Sequence, residues 1–168
     1  MQHAPPASGG MFHLEAFDEN GVKVWEDVAF NKVVDGALGL FLSPLFNIAR
    51  PTTQYLGLTN ASPTIAAGDT MASHAGWTEN QTYTEGTRQV WNKVLSGTGS
   101  LNNSASQATY SINGSTTVGG VFLVSGNNTK GGTAGDLHAV AALNGGNATL
   151  QSGWTLRITY TLTLTSAA

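Results

Sequence analysis

The sequence predicts an all-β protein, an antiparallel β-sandwich of jelly-roll type with one short helix near the N-terminus. The strongest indication is residues 155–165, TLRITYTLTLT, where apolar residues alternate strictly with threonines and one arginine. Successive side chains on a strand point to opposite faces of the sheet, so this pattern specifies one buried and one exposed face. The second indication is that roughly seven to nine short apolar segments are separated by turns, which is the spacing of sandwiches and barrels.

Composition limits the functions that the chain can have. Only 10 % of its residues are charged and the net charge is −3, which predicts no basic surface for nucleic acid. The absence of cysteine excludes disulfides and thiolate chemistry. The most apolar run, residues 37–42, is too short to span a bilayer, and the first residues do not have the pattern of a secretory signal. We therefore expect synthesis in a cytoplasm and no association with a membrane.

The 168 residues predict a flexible N-terminal arm at residues 1–10 and a single β-sandwich domain at residues 11–168. The arm, MQHAPPASGG, is rich in proline, glycine and small residues, a composition typical of flexible segments. A single domain of this length buries about 70 % of the surface of its unfolded chain. No repeat of fixed period divides it further.

The first part of the domain should contain a hairpin followed by a short helix. Apolar residues alternate on both sides of an Asp-Glu-Asn-Gly turn at residues 18–21, and Asn-Gly supplies the positive φ angles of tight hairpin turns. Asn31 is positioned to cap a helix that Pro44 would end. The apolar residues that recur at helical spacing are Val34, Leu38, Phe41 and Leu45.

Strand character then recurs to the end of the chain. Before the last strand it is found at residues 53–60, 87–95, 108–112, 118–124 and 137–143. The glycines in VGGVFLV (118–124) indicate a bulge or the close approach of another backbone. Apart from Arg157, the last strand carries no charge, whereas exposed edge strands usually carry lysine, proline or bulges. We therefore expect the last strand in the middle of a sheet.

The richest cluster of candidate metal ligands is Asp69, His74 and Glu79. Imidazole and carboxylates suit divalent cations, but this spacing matches neither the zinc nor the calcium motifs. The interpretation that we prefer is a surface loop whose Trp77 packs under the edge of a sheet and whose Arg88 pairs with an acid. The sequence therefore predicts no metal and no cofactor.

Asp136 and His138 are the residues from which a hydrolytic triad could be drawn, since positions two apart on a strand share a face. No nucleophile elbow or oxyanion turn accompanies them in the sequence. Asp136 is expected instead to close the preceding glycine-rich loop by bonding to its backbone. Among the ten acidic residues, no glycosidase pair stands out. The sequence therefore predicts that the protein is not an enzyme.

Three aromatic residues, Trp77, Tyr83 and Trp91, could form a stacking platform for a carbohydrate. The cores of sandwich proteins also bury aromatic side chains routinely, because these side chains contribute the largest apolar areas. We prefer the core position, and a glycan-binding module stays an alternative.

The order of these segments resembles that of a known family. A flexible arm leads into a hairpin that ends GVKVWEDVAFN, then a short glycine-containing helix and the strand YLGL. An acidic stretch, GWTENQTYTEGTRQVW, precedes the strand GGVFLVSG and a last strand of alternating threonine and leucine. This order resembles small virion proteins of tailed bacteriophages, especially capsid decoration (cement) proteins, over most of residues 11–165.

The resemblance implies a non-enzymatic virion structural protein that binds the outside of a phage capsid and cements neighbouring capsid subunits. Its partners would be the major capsid protein and further copies of itself, in a dimer or trimer. It would be made in the cytoplasm of the host bacterium and would end on the capsid surface. The arm is the first expected contact and the hairpin around Trp25 the second. The expected interface residues are Gln2, His3, Pro5, Pro6, Phe12, Trp25, Trp77, Tyr83 and Arg88.

Two other functions stay open at this point. The chain could be a tail fibre, head fibre or spike component whose aromatic and Asn/Thr-rich loops bind a host glycan. It could also be a glycan-active enzyme with a β-sandwich fold. Binding to a glycan array tests the first, and alanine substitution of Asp69, Glu79 and Asp136 tests the second.

Overall fold

The structure is a computed structural model that describes residues 8–42, 53–97 and 99–164. Fourteen strands and one helix lie in these ranges. In chain order they are β1 (Ser8–Phe17), β2 (Lys23–Phe30), β3 (Lys32–Val33), α1 (Asp35–Leu42), β4 (Gln54–Thr59), β5 (Glu79–Asn80), β6 (Gln89–Val90), β7 (Val94–Leu95), β8 (Ser100–Asn102), β9 (Ala108–Ser111), β10 (Thr116–Val118), β11 (Gly120–Ser125), β12 (Asp136–Ala142), β13 (Ala148–Leu150) and β14 (Thr155–Leu164).

The strands form two large antiparallel sheets and one small pair. Sheet A has the order β2-β1-β14-β8-β7, and β9 also pairs with β14. Sheet B has the order β3-β12-β11-β4-β5, with β6 also paired to β4, while β10 pairs with β13. Buried residues of both sheets belong to one apolar cluster, so the sheets pack face to face. The prediction of an all-β protein with antiparallel sheets is confirmed.

The position of the last strand is confirmed in detail. β14 lies between β1 on one side and β8 and β9 on the other. Leu156, Ile158 and Tyr160 are buried, whereas Arg157 between them is exposed. The two-residue alternation therefore specifies the two faces of the strand, because one face covers the core and the other is the outer face of sheet A.

Two hydrogen bonds join the sheets through the core. The hydroxyl of Tyr110 on β9 donates to the carbonyl of Leu56 on β4 at 2.8 Å. The indole nitrogen of Trp91, which follows β6, donates to the carbonyl of Tyr160 on β14 at 3.2 Å. Buried aromatic donors need such partners, and these two bonds fix how the sheets sit on each other.

A third layer covers the other face of sheet B. Val34, just before α1, and Ala37, in its first turn, pack with Met71 and Trp77 of the long loop after β4. They cover a second apolar cluster whose sheet members are Phe122, Val124, Leu137 and Val140. All six residues of β11 are buried, since this strand is covered on both faces. This explains why its sequence is an apolar run rather than an alternation.

The hairpin prediction is confirmed, with β1 paired to β2. The amide of Asp18 donates to the carbonyl of Val22 at 2.9 Å, so the connection is a three-residue loop that ends with Gly21 at φ +77°. The register then shifts between Ala16 and Phe17. β1 begins at Ser8, so residues 8–10 of the predicted arm pair with β14, and residues 1–7 lie outside the described residues.

The prediction that Asn31 caps a helix is wrong. Its side-chain oxygen accepts from the amide of Gly10 at 2.5 Å, and its amide nitrogen donates to the hydroxyl of Tyr160 at 3.3 Å. Asn31 therefore fastens the end of β2 to β1 and β14. Helix α1 begins at Asp35. Pro44, which was expected to end the helix, and Leu45, which was expected in its apolar stripe, lie outside the described residues.

Residues 87–95 form two short strands rather than the single strand that was predicted. β6 belongs to sheet B and β7 to sheet A. Trp91, which is 4 % exposed, lies between them and packs into the shared core. The chain therefore crosses from one sheet to the other at this tryptophan.

Candidate interaction surface

Four residues that were expected at an interface lie inside the protein. The exposed fractions of Phe12, Trp77, Tyr83 and Arg88 are 0 %, 6 %, 1 % and 1 %. Their side chains have no surface with which to contact a capsid subunit, so the expectation is corrected for these four. Phe12 stacks on Tyr160 in the core, with ring centroids 4.1 Å apart. The expected contacts Gln2, His3, Pro5 and Pro6 lie outside the described residues.

The remaining expected contact, Trp25, lies on the β1–β2 hairpin. Its side chain is partly buried against the shared core. Beside it, Val22 and Val24 are 59 % and 43 % exposed. These three residues form what we call the hairpin surface. Val24 lies in β2 and Val22 lies just before it, and we take this group of exposed apolar side chains as a candidate for contact with another molecule.

Of the candidate ligands, Asp69 and His74 both bond to Trp77, whereas Glu79 bonds to Arg88. The Nδ1 of His74 lies 3.0 Å from the carbonyl of Trp77, and the two rings stack at 3.8 Å. Asp69 accepts from the indole nitrogen of Trp77 at 3.4 Å and from the amide of Ala66 at 3.2 Å. Trp77 packs on Phe122 of sheet B, as a structural residue of the third layer. The first two candidates therefore hold the loop to the sheet.

Glu79 forms a buried ion pair with Arg88, which confirms that Arg88 pairs with an acid. The guanidinium Nε and Nη2 donate to the two carboxylate oxygens at 2.8 Å each. Arg88 also donates to the carbonyls of Asn127 and Gly132, at 3.2 and 2.8 Å. Glu79 in turn accepts from the amide of Gly131 at 2.7 Å. This ion pair fixes the glycine-rich loop between β11 and β12, a role that the sequence had assigned to Asp136.

Asp136 and His138 do not assemble a triad. The register between β11 and β12 shifts next to His138, which breaks the two-residue spacing on which the idea depended. Ser125 lies directly opposite Asp136, but it is 1 % exposed and its hydroxyl has no hydrogen-bond partner among the described residues. A serine without a bond to an imidazole and without contact to solvent cannot attack a substrate.

Burial lowers the pKa of His138, although the nearby Asp136 opposes this effect. Because the unfolded chain binds the proton more readily, the free energy of unfolding should fall as the pH drops below about 6.5. His138→Gln should therefore lose less stability between pH 7.5 and 5.5 than the wild type does. Urea denaturation at both pH values measures this difference, and equal losses in the two chains would contradict the assignment.

The aromatic residues considered for a glycan platform lie in the core, the position that the sequence analysis favoured. Tyr83 and Trp91 belong to the core between the sheets, and Trp77 to the cluster on the far side of sheet B. Tyr83 packs edge-on against Tyr110, with ring centroids 4.9 Å apart. The three side chains face two different layers and are buried, so they do not form one exposed stacking surface.

A charged cluster that was not predicted lies on the outer face of sheet A, next to the hairpin surface. Lys23 Nζ lies 2.5 Å from Glu26 and 3.4 Å from Glu15, and His13 Nε2 lies 3.9 Å from Glu26. The hydrogen bonds to Glu26 and Glu15 raise the pKa of Lys23, and the bond to Lys23 lowers the pKa of Glu26. The cluster depends on the register of β1 and β2, which places Glu15 directly opposite Glu26.

Comparisons with known proteins add no family. No protein-family model matches the chain, and no curated protein is significantly similar to it in sequence. Within residues 8–42, 53–97 and 99–164, no helix has the length and apolar character needed to cross a membrane.

Proposed function

We propose that this chain is a non-enzymatic virion structural protein that binds the outside of a tailed-phage capsid and cements neighbouring capsid subunits. Its partners in this proposal are the major capsid protein and further copies of itself, as a dimer or trimer. The role is mechanical, since each bridge between subunits raises the barrier to rupture of the capsid. Many copies make modest contacts sufficient, because simultaneous attachment to several subunits increases avidity by roughly 10² or more.

The first support for the proposal is the sequence resemblance to capsid decoration proteins. The second is what the polar residues do: Asp69, His74, Glu79 and Arg88 are all engaged in holding loops to the sheets. The third is the low charge of 10 %, which suits a protein whose surface lies against other protein.

A jelly-roll arrangement is part of the proposal. Its support is that the first and last long strands, β1 and β14, are neighbours in sheet A. In addition, the chain crosses between the sheets several times rather than completing one sheet first. Helix α1, near the N-terminal end, would then be an outer cover on sheet B.

The observation that carries the proposal furthest is the hairpin surface. It lies in the segment that the resemblance gives as a contact, and it exposes Val22 and Val24 beside the half-buried Trp25. In a chain with so few charges, these two exposed valines are the proposed apolar contact with a capsid subunit. The arm at residues 1–7 would add a second attachment.

Replacing both Val22 and Val24 with serine should weaken binding to capsids lacking this protein by about tenfold or more, since the apolar contact is lost. Leu38→Ser is the matched control, because Leu38 is 56 % exposed on α1, on the opposite side of the sandwich. Binding is measured by co-sedimentation with capsids. Equal binding of the double variant, the control and the wild type would remove the hairpin surface from the proposal.

Particles made without this protein should release their DNA at a lower temperature or under a milder osmotic shock than complete particles. Adding the purified protein back should restore the original stability, whereas adding the Val22/Val24 double variant should not. Unchanged capsid stability without the protein would contradict a cement role.

The alternative function is that of a fibre or spike component that binds a glycan. The three aromatic residues that could have formed its stacking platform are buried, so they do not support this alternative. A glycan array distinguishes the two functions, because a cement protein should bind none of the glycans. Strong, selective binding there would favour the alternative.

A further inference from the structure

We infer that His13, Glu15 and Glu26 form a binding site for a divalent transition-metal cation of the Zn²⁺ class, in which the ammonium of Lys23 competes with the metal. The site lies on the outer face of sheet A and is independent of the proposed role on a capsid.

The register of β1 and β2 brings the three ligands together. His13 and Glu15 are two residues apart on β1 and share its outer face, and Glu15 is paired directly with Glu26 on β2. One ligand atom from each side chain lies within 4.8 Å of the other two. A four-coordinate Zn²⁺ with bonds of about 2.1 Å holds its ligands roughly 3.4 Å apart. Small side-chain rotations on two rigid strands are therefore enough to close the site.

The ammonium group of Lys23 already lies near the carboxylates of both Glu15 and Glu26. Like charges directly opposite each other on neighbouring strands are destabilising, so Glu15 and Glu26 need a cation between them. Lys23 supplies it through the contacts described above, but its side chain is 46 % exposed and lies beside the hairpin loop. It can move into solvent at little cost. A divalent cation would then neutralise both carboxylates and also bond to the imidazole of His13.

The ligand types indicate which cation is suited. One imidazole with two carboxylates favours zinc, cobalt or iron over Mg²⁺ and Ca²⁺, which prefer oxygen ligands alone. Three protein ligands leave a coordination position for water. Arg157 lies opposite Glu15 on β14, but its guanidinium is stacked over the ring of Phe17 at 4.5 Å. No ion pair between Arg157 and Glu15 is found within the part of the chain that the structure describes.

Charge is otherwise scarce, which makes the cluster unusual in this chain. Seven basic and ten acidic residues are all that the 168 residues contain. Three of these seventeen, with one of the four histidines, meet at this one place on the sheet. Solubility alone would be served better by spreading such charges over the surface.

Titration of the full-length chain with Zn²⁺, followed by calorimetry, tests the inference. We expect one ion per chain, and a loss of affinity of at least about tenfold in both His13→Ala and Glu26→Gln. Lys23→Met should bind about tenfold more tightly than the wild type, since a competing charge is removed. Glu19→Gln, an exposed acid on the same hairpin, and His3→Ala are controls that should bind as the wild type does.

The inference is overturned if the wild type binds no Zn²⁺ at about 1 mM, or if His13→Ala and Glu26→Gln bind unchanged. Loss of binding in His3→Ala would move the site to the arm and would overturn it as well. Mg²⁺ should not displace the bound Zn²⁺. Circular dichroism shows that each variant is folded, which separates loss of the ligand from loss of the fold.

Discussion

Replacing Arg88 with methionine should lower the free energy of unfolding by about 3–5 kcal/mol, the usual effect of removing one partner of a buried ion pair. The side chains of Arg88 and Glu79 are 0 % and 6 % exposed, so the substitution leaves a carboxylate buried without its counter-charge. It also removes the donors to the carbonyls of Asn127 and Gly132. Urea denaturation followed by tryptophan fluorescence measures the loss.

A double-mutant cycle makes this prediction specific. Because Arg88→Met/Glu79→Met removes both charges together, it should lose less stability than the sum of the two single variants. Lys23→Met is the control for the loss of an exposed pair, and its effect should be far smaller, since solvent screens such pairs. Two results would contradict a stabilising role for the buried pair. One is that the effects of the single variants on the free energy of unfolding are additive, and the other is that Arg88→Met loses as little stability as Lys23→Met.

Gly119→Ala should lower the free energy of unfolding by about 3 kcal/mol, the upper end of the range for overpacking. A Cβ atom at this position would overlap the backbone of Ala61 and Ser62. The amide of Gly119 donates to Thr59 and its carbonyl accepts from Leu143, both at 3.0 Å, so the glycine cannot move away. Urea denaturation measures this effect too.

Gly86→Ala is the matched control for Gly119→Ala. No heavy atom lies within 4 Å of a Cβ added at Gly86, and its φ is not one that disfavours other residues. The substitution should change stability by no more than about 0.5 kcal/mol. If the two variants are equally stable, the close approach between residue 119 and the loop at 61–62 is not present in solution.

The elements that could be predicted are those in which local pattern and tertiary environment agree. The last strand is one of them, because its alternation reports directly which face covers the core. The glycines before β11 are another, since the sequence indicated the close approach of a backbone and Gly119 meets that of Ala61. The β1–β2 hairpin followed from its turn residues.

The elements that could not be predicted depend on contacts far apart in the chain. Asn31 has the side chain of a helix cap, but its partners Gly10 and Tyr160 are 21 and 129 residues away. The residues 87–95 have continuous strand character, yet the burial of Trp91 divides them between two sheets. Local propensity carries no information on such partners, and tertiary packing decides between the alternatives.

The candidate surfaces were the least predictable part. Trp77 and Tyr83 were expected both at an interface and in a core, and a single sequence cannot separate these roles, because both favour large aromatic side chains. The cluster of His13, Glu15 and Glu26 was missed because its members lie on two strands and only the register joins them. Register depends on the loop length and on the shift between Ala16 and Phe17.

The measurement that tests the proposed function most directly is the copy number of this chain relative to the major capsid protein, by quantitative mass spectrometry of purified particles. The proposal predicts a number comparable to that of the capsid protein, since a cement acts over the whole lattice. A few copies per particle would place the chain in a tail or at a vertex. Its absence from particles would contradict the virion role altogether.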